Sequence, residues 1–363
     1  ESKAYGRSDL SALVKQITEN NNTISNNSLM SSENKDSNYN KYITKPGNNK
    51  KYIRKIKELQ ITDPKDFEIL NEFTPKLLHK PSKKSAKPFG TLYYAVLRGE
   101  RMLCRLIKFD RLTSYLTEDL YEEIQIINSL CDDHIVKIKG LYIEQSKIYM
   151  FYPELVSLYD LLHIQSKQLT IPDKLLIAKA VCESLAKIHE CVSKMVHAHL
   201  SSRNLFVDRV VADNQIRFRV KVGDLGDMCI RQSAKIFLSY DVRNTWSSPE
   251  VIGDPNLAFT SRRTTMDIYS FGMLLWELFS AVVPFADNTD AAKTFIVDKN
   301  FRPKIRYQID EASTEELSEV QQKNYIPEEI AEIIKHCWAK EPKDRPQSLL
   351  DVLESLKLIN LEA

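Results

Sequence analysis

The stretch MVHAHLSSRNLFV (195–207) concentrates side chains that could do chemistry. Histidine exchanges a proton near neutral pH, so His199 could act as a base. A neutral imidazole offers one acceptor at best, and a protonated one would repel nearby cations. Asn204, near the end of this stretch, and Asp224 in GDLG add further polar groups. The segment therefore has the residue types of a reaction site, with an unusual proton acceptor.

A second candidate group is the cation of Arg105. The stretch GTLYYAVLRGERMLCRLIKF (90–109) alternates like two strands around a turn at residues 98–100. Alternation points Leu103 and Arg105 to the same side of the sheet. Arginine keeps its charge, and its planar fork fits carboxylate and phosphate oxygens. We therefore expect Arg105 to point into a cleft together with Leu103.

The elements that must position these residues form a strand-rich first part and a helical remainder. DFEILNEF (66–73) and KIYMFY (147–152) are strand-like, and LTEDLYEEIQIINSL (116–130) has helical spacing. Further helical periods follow at 174–192, 265–280, 326–338 and 347–358. This order predicts an α+β fold in two lobes with a cleft between them.

Composition limits the classes of function. The chain has 363 residues and a net charge of only +2, so we expect no nucleic acid as a partner. No stretch approaches the roughly 20 apolar residues of a membrane span. The six cysteines are scattered singly, which predicts reduced thiols in the cytoplasm and no zinc site. The chain opens at Glu1 without methionine, so we expect a fragment of a longer protein.

A series of short motifs follows in a fixed order along the chain. They are FGTLYYAVLRG (89–99), MLCR (102–105), Glu123 ahead of DDHIV, HAHLSSRN (197–204), GDLG (223–226), WSSPEVI (246–252), DIYSFGMLLWE (267–277) and CWAKEPKDRP (337–346). In order and spacing they resemble a protein kinase domain, nearest the tyrosine-kinase-like group. The resemblance implies a two-lobed protein kinase-like fold, with a small β-rich N-lobe that contains helix C and a larger α-helical C-lobe.

The resemblance also divides the chain. Residues 66–154 would form the N-lobe and hinge, and residues 155–358 the C-lobe. Ahead of them, residues 1–50 are rich in Asn, Ser and Lys, a composition that predicts disorder. Residues 51–65 would be an N-terminal extension, and residues 359–363 a short tail.

The glycine-rich loop departs from the family pattern. The first two glycines of G-x-G-x-x-G become Ser85 and Lys87, and Gly90 remains. Side chains there hinder close approach of the backbone to phosphates, and Pro88 removes an N–H donor. The positive charge of Lys87 and its neighbours could attract phosphate instead, or the loop could bind nothing.

The family lysine and its surroundings are altered as well. Arg105 stands at the strand lysine, where it could still pair with Glu123, the expected helix-C glutamate. Leu103 replaces the alanine that borders adenine in the family, which predicts a tighter pocket. A shift of frame that makes Lys108 the family lysine is the alternative.

The catalytic loop lacks two residues that the family uses. His199 stands at the aspartate that accepts the substrate hydroxyl's proton, and Ala198 replaces the arginine that binds a phosphate on the activation segment. General-base catalysis contributes typically about 10²–10⁴-fold. We therefore assign no catalytic residue to this chain.

The resemblance implies a nucleotide site and a metal site between the lobes. Magnesium, if it binds, would use Asn204 and Asp224, although both could instead bond only to neighbouring backbone. Glu250 and Arg345 resemble the family's ion pair in the C-lobe. The residues expected to contact ATP are Ser85, Lys87, Gly90, Leu103, Arg105, Glu123, Met150 as gatekeeper, Phe151, Tyr152 and Glu154 of the hinge, Asn204, Asp224, and Leu205 with Val207 beneath the base.

These departures predict a pseudokinase, a regulatory or scaffolding module that binds ATP, with or without metal, and does not act as an enzyme. Its expected partners are other signalling proteins. The acidic, polar stretch 306–325 either recruits one of them or forms a solvated loop. Two alternatives stay open. One is a weakly active serine/threonine kinase that uses His199, and the other is an interaction module that binds no nucleotide.

Overall fold

The computed structural model describes a defined set of residues. These are 61, 63–73, 90–108, 127, 133–144, 147–165, 169–191, 196–212, 215–224, 245–254, 257, 261, 263–285, 294–305 and 325–359. Several predictions lie outside them, namely the disordered segment 1–50, the helix 116–130 apart from Ile127, the residues Ser85, Lys87 and Glu123, and the stretch 306–325 apart from its last residue.

The first described part of the chain folds into an antiparallel sheet. Within the described residues it has five strands in the order β1-β2-β3-β5-β4. They are β1 (Phe67–Glu72), β2 (Thr91–Leu97), β3 (Glu100–Lys108), β4 (Gly140–Glu144) and β5 (Lys147–Pro153). Residues 98 and 99 form the predicted turn between β2 and β3, and both have positive φ.

The register of the sheet decides which side chains share a face. Arg105 lies opposite Met150, and Leu103 lies opposite Tyr152. Since neighbouring side chains along a strand point to opposite faces, these four share one face. The alternate residues, such as Cys104 and Phe151, must then lie on the other.

That other face carries the apolar core of the N-lobe. The buried members of this cluster are Ile61, Ala95, Leu97, Met102, Cys104 and Phe151. The Phe67 ring lies 5.1 Å from those of Phe151 and Tyr142. The Ile61 N–H donates to the Leu141 carbonyl at 2.8 Å. Ile61, which belongs to the predicted N-terminal extension (51–65), packs in the N-lobe core.

The second part is helical, as predicted. The helices are α1 (Ile171–Cys191), α2 (Pro249–Gly253), α3 (Thr264–Ser280), α4 (Glu328–Cys337) and α5 (Leu349–Leu358). Short helical turns cover Asp160–Ile164, Ser202–Asn204, Thr294–Asp298 and Pro342–Asp344. Helix α3 is buried along nearly its whole length, as expected for a helix that is apolar on most sides. The α+β architecture of a β-rich N-lobe and a helical C-lobe is thus confirmed.

A long hairpin connects the loop 197–204 to Asp224. It consists of β6 (Leu205–Ala212) and β7 (Gln215–Val222), which pair along their full length. Leu205, Val220 and Val222 are buried in the helical core. The Ser184 hydroxyl on α1 donates to the Val220 carbonyl at 2.8 Å, which ties the hairpin to that helix.

Two further observations bear on the composition-based predictions. Cys104, Cys182 and Cys337 are buried free thiols, and burial raises the pKa of Cys104 and Cys337 to about 12. They are therefore protonated and unreactive. Among the described residues, no helix combines the length and apolar character needed to cross a membrane.

Candidate functional site

The loop 197–204 is held by one buried carboxylate. Asp267, in the first turn of α3, accepts hydrogen bonds from the backbone N–H groups of His197 and Ala198, each at 2.8 Å. Its Oδ2 also lies 2.9 Å from Nε2 of His189. Burial opposes ionisation, but the hydrogen bonds from His189 and His197 outweigh it and hold the pKa of Asp267 below its usual value. The loop therefore rests on a charged anchor.

His197 joins this loop to the segment that carries Asp224. Its Nε2 lies 2.9 Å from the Gly223 carbonyl, and its Nδ1 accepts from the His199 N–H at 3.3 Å. This pattern assigns the proton of a neutral imidazole to Nε2. The Gly223 N–H donates in turn to the Asn204 carbonyl at 2.8 Å. Asp224, one residue on, is thus fixed close to the loop.

The side chain of Asn204 is used within the loop itself. Its Nδ2 donates to the His199 carbonyl at 2.8 Å, and its Oδ1 accepts from the Ser201 N–H at 2.9 Å. Asn204 is buried. These two bonds are the architectural role that the sequence left open as an alternative to metal binding.

Arg105 and Asp224 form an ion pair across the two parts of the fold. Nη2 of Arg105 lies 2.6 Å from Oδ1 of Asp224, and the two side chains are 10% and 33% exposed. Burial disfavours the charged carboxylate, but the charge and hydrogen bond of Arg105 hold the pKa of Asp224 below its usual value. The guanidinium also lies over the Tyr152 ring, 5.7 Å from its centroid.

This pairing identifies the cation that faces the cleft. Lys108 is exposed at the end of β3, opposite Lys147. Arg105, three residues earlier, reaches the acid of GDLG. The alternative frame with Lys108 as the family lysine is therefore wrong. Asp224 has φ of 53°, a left-handed conformation that is uncommon outside glycine, and the ion pair helps to hold it.

Both expected magnesium ligands have protein partners in this structure. One Asp224 oxygen is occupied by Arg105, and the Asn204 oxygen accepts a backbone N–H. Mg²⁺ needs near-octahedral oxygen coordination. No group of three or more metal-binding side chains occurs in the described part of the chain. In this structure the Asp224 carboxylate is thus bound to a guanidinium.

The predicted hinge has few backbone groups for a base. The Phe151 carbonyl already accepts from the Lys139 N–H at 2.7 Å. Pro153 has no N–H to donate. Glu154 pairs with Arg101 at 2.7 Å in an exposed position. The expectation that the hinge contacts ATP is thus supported by fewer groups than its sequence suggests.

The apolar residues around the predicted base divide between two faces. Met150, Tyr152 and Leu103 lie on the face of Arg105, and Met150 is fully buried there. The Phe151 side chain lies on the opposite face, buried in the N-lobe core. The Phe151 ring therefore faces away from the cleft, so a contact of this hinge residue with a nucleotide would have to use its backbone.

A correction concerns the strand that follows Asn204. Leu205 is fully buried in the helical core, and Val207 packs against the same core, so neither side chain lies beneath a base. Phe206 is on the other face, with its ring against Gly223. Sequence reasoning missed Phe206 because two apolar residues flank it. On this face Phe206 lies opposite Lys221, which is half-buried.

Gly90 is required by the sheet itself. Its φ is 78°, and a Cβ there would lie 2.8 Å from the Leu106 carbonyl oxygen on β3. Such a contact would force the backbone to move. The glycine is therefore explained by packing, whether or not a phosphate approaches it.

Comparison with known proteins identifies the family. A sequence model described as protein tyrosine and serine/threonine kinase matches residues 88–356. The chain belongs to this kinase family. The match covers the described parts of both lobes after β1, including Arg105, the loop 197–204 and Asp224.

Several curated kinases are similar to this kinase domain. It is 26% identical over 280 residues to the probable serine/threonine-protein kinase roco5 of Dictyostelium discoideum. This alignment covers 75% of the chain and 9% of the relative. It is 24% identical over 303 residues to serine/threonine-protein kinase STY46 of Arabidopsis thaliana, with 82% and 47% covered. Dual specificity protein kinase pyk3 of D. discoideum is 25% identical over 280 residues, with 76% and 18% covered. The chain thus spans less than half the length of these relatives.

Two charged side chains in the C-lobe of the kinase domain, Arg345 and Glu277, have all their polar groups hydrogen-bonded. All five N–H groups of Arg345 are used, by both oxygens of Glu250 at 2.7 and 2.9 Å and by the carbonyls of Thr265, Ala339 and Lys340. Glu277 is fully buried and contacts His163, Ser202 and Trp246 at 2.7–2.9 Å. Both side chains tie α3 to neighbouring segments. The predicted pair of Glu250 and Arg345 is present.

Proposed function

We propose that this kinase domain is a pseudokinase, a regulatory module that binds ATP without appreciable phosphotransfer and acts through other signalling proteins. The observation that carries the proposal is the 2.6 Å ion pair between Arg105 and Asp224. In this pair Arg105 engages Asp224, the carboxylate that the resemblance identifies as a magnesium ligand. Phosphoryl transfer relies on that metal to neutralise charge on the phosphates.

The loop residues support the same conclusion. His199 offers no carboxylate to a substrate hydroxyl. The Asn204 amide is engaged on both sides by loop backbone. Each of these changes weakens a different part of the same reaction, so their effects combine.

The same ion pair suggests how ATP binds without magnesium. Arg105 keeps its charge and presents a planar set of donors that fits phosphate oxygens. With Asp224 neutralised by Arg105, the cleft does not expose an uncompensated carboxylate to a polyphosphate. The apolar side chains of Leu103 and Met150, on the same face of the sheet as Arg105, would contact the base.

Thermal unfolding of the whole chain with ATP, in magnesium and separately in EDTA, tests this proposal. A ligand at about 100 times its dissociation constant adds roughly 2.7 kcal/mol of stability. We expect a stabilising shift that survives EDTA and is lost in Arg105→Met. Arg98→Met, which removes an exposed arginine from the far end of the β2–β3 turn, should keep the shift.

Two other outcomes would replace the proposal. ATP- and magnesium-dependent phosphorylation of a generic protein substrate would make the chain an active kinase, which the names of its relatives favour. A folded chain with no shift under either condition would make it an interaction module without nucleotide. The occupied Phe151 carbonyl and the missing N–H of Pro153 favour that second candidate.

A further inference from the structure

The β6–β7 hairpin has one packed face and one open face. Leu205, Val220 and Val222 are buried in the helical core on the packed face. Cross-strand pairing sets Phe206 opposite Lys221, Asp208 opposite Arg219 and Val210 opposite Arg217 on the other. Because side chains alternate along a strand, this second set points away from the core.

The open face carries a row of basic side chains, which we call the basic row. It consists of Arg217, Arg219 and Lys221 on β7, of which the first two are exposed. Within residues 205–222 there are four basic side chains and two acidic ones. The hairpin therefore has two more basic than acidic side chains, which equals the net charge of +2 of the whole chain. The rest of the chain is therefore neutral in sum, while the hairpin carries a net positive charge.

The spacing of the basic row fits an extended peptide. Alternate residues of a strand are about 6.8 Å apart, twice the rise per residue. Acidic side chains at alternate positions of an extended segment have the same repeat. Such a segment could place a carboxylate near each member of the row, and arginine binds carboxylates in a planar, bidentate way.

The edges of the hairpin could add main-chain hydrogen bonds. Val222 and Val207 direct their backbone groups outward, to residues 134–136 and to the Val156 carbonyl. Antiparallel alternation then directs the N–H and C=O of Arg209 and Phe218 outward as well. In the described part of the chain, no backbone group pairs with them. Away from Val220, whose carbonyl accepts from Ser184 on α1, a strand edge of this kind can accept a further strand.

The contact between Arg219 and Asp208 on this face is weak. Arg219 pairs with Asp208 at 2.9 Å, but the two side chains are 56% and 63% exposed. Exposed ion pairs typically contribute only about 0–1 kcal/mol. A carboxylate from a partner can therefore compete with Asp208 for Arg219.

From these observations we infer that the open face of the β6–β7 hairpin is a docking surface for an acidic, extended segment of a partner protein. The edge groups favour a peptide over other polyanions, since only a peptide offers backbone N–H and C=O groups to them. Asp208 within the face disfavours a uniformly charged phosphate backbone or lipid surface. The inference goes beyond the proposed function, because it holds whether or not the cleft transfers phosphate.

Fluorescence anisotropy with two labelled peptides tests the surface on the full chain. One peptide alternates Glu and Thr, and the other has the same composition in two blocks. We expect the alternating peptide to bind at least about fivefold more tightly, since its carboxylates match the row. In Arg217→Glu/Arg219→Glu we expect affinity to fall at least about tenfold. The milder Arg217→Gln/Arg219→Gln serves if charge reversal disturbs folding.

The matched control is Lys304→Glu/Lys343→Glu, which makes the same change of charge at two exposed lysines outside the hairpin. Its affinity should stay within about twofold of the unchanged chain. Equal affinity for the two peptides would overturn the inference, as would binding that ignores the Arg217 and Arg219 changes. Tighter binding of oligo(dT) or of phosphatidylserine vesicles than of the alternating peptide would also overturn it.

Discussion

Arg105 and Asp224 are far apart in sequence, 119 residues, and meet as one ion pair. Arg105 is nearly buried, so its charge needs a partner. Asp224 is that partner, and the charge of Arg105 in turn stabilises the ionised form of Asp224. At the scale of single residues, this mutual requirement explains why arginine and aspartate occur together in the cleft.

Arg105→Met should destabilise the fold at neutral pH by about 1–3 kcal/mol, because Asp224 would keep its charge without a donor. The folded-state pKa of Asp224 is lowered, so the contribution of the pair is present above the unfolded pKa of about 4. It is lost as pH falls through the lower folded pKa. Urea unfolding from pH 7 to pH 3 should therefore show the gap between the two proteins narrowing in acid.

The double variant Arg105→Met/Asp224→Asn separates the pair from packing effects. If the ion pair accounts for the loss, Asp224→Asn should cost clearly less in the Arg105→Met background than in the original chain. Strict additivity of the two single changes would contradict the pairing.

The hydroxyl of Tyr269 gives a second prediction at this scale. It is buried and has no hydrogen-bond partner among the described residues, and burial raises its pKa to about 12. The ring lies between the guanidinium groups of Arg302 and Arg345, at 5.1 and 5.0 Å from its centroid. Tyr269→Phe keeps both ring contacts and removes only the unpaired group, so stability should stay the same or rise by about 1 kcal/mol.

Ser202→Ala is the matched control, because its buried hydroxyl donates to Glu277 at 2.8 Å. We expect that change to cost about 1–3 kcal/mol. Chemical denaturation of the two variants should show opposite or clearly unequal shifts. A loss of similar size in Tyr269→Phe would mean that its hydroxyl has a partner, such as a buried water.

At the scale of elements, helix α3 depends on the groups at its two ends. Asp267 near the start accepts the loop N–H groups. At the far end, Nζ of Lys174 on α1 donates to the Phe279 carbonyl at 2.9 Å. Lys174 is buried, and burial lowers its pKa to about 8. A cation at a helix C-terminus is favourable, and here it comes from a neighbouring helix.

This lysine predicts a specific pH dependence. The folded chain releases its proton near pH 8, while the unfolded chain keeps it to about 10.4. Between these values the unfolded state binds more protons, so the contribution of this group to stability rises with pH, by up to about 1.4 kcal/mol per unit. Relative to Lys174→Met, the original chain should gain stability between pH 8 and pH 10.

The comparison with Lys174→Met is needed because other groups act in the opposite direction. The pKa of Cys104 and of Tyr269 is raised to about 12, and such groups lower stability in alkali. Both proteins share those groups, so they cancel in the difference. A difference in unfolding free energy that stays constant over this range would contradict the lowered pKa of Lys174.

At the scale of the whole molecule, the described ion pairs that hold the C-lobe and the groups that face the cleft are separate sets of residues. Every N–H of Arg345 is paired, and Glu277 joins three segments. In the cleft, by contrast, Asp224 is paired with a guanidinium and His199 stands at the base position. On the proposed function, stability and phosphotransfer would therefore depend on different residues.

His199→Asp tests this separation. Restoring the carboxylate at one position leaves the Arg105–Asp224 pair and the bonds of Asn204 in place, so we expect phosphotransfer to stay at the level of the original chain. A radiolabelled ATP assay with a generic protein substrate measures this, with unfolding curves as a check on folding. A rise of about 10² or more, the size of a general-base effect, would show that the remaining cleft is competent.

The amino-acid sequence alone determined the family, the order of elements and the helix and strand positions to within a few residues. These depend on motif spacing and on local periodicity, both of which act over short stretches of chain. It also identified Glu250 and Arg345 as partners, because the family resemblance carries that pair. The inward direction of Arg105 followed from strand alternation in the same way.

Only the tertiary structure decided which group Arg105 meets and which faces the cleft residues occupy. The partner of Arg105 depends on how two distant segments pack, and no local pattern encodes that. The faces of Phe151 and Leu205 depend on register, where a shift of one residue exchanges the two sides of a strand. Each lies in a run of apolar residues, so hydrophobicity alone did not show which side chains of the strand face the core. The packing of β5 and β6 against their neighbours decided this.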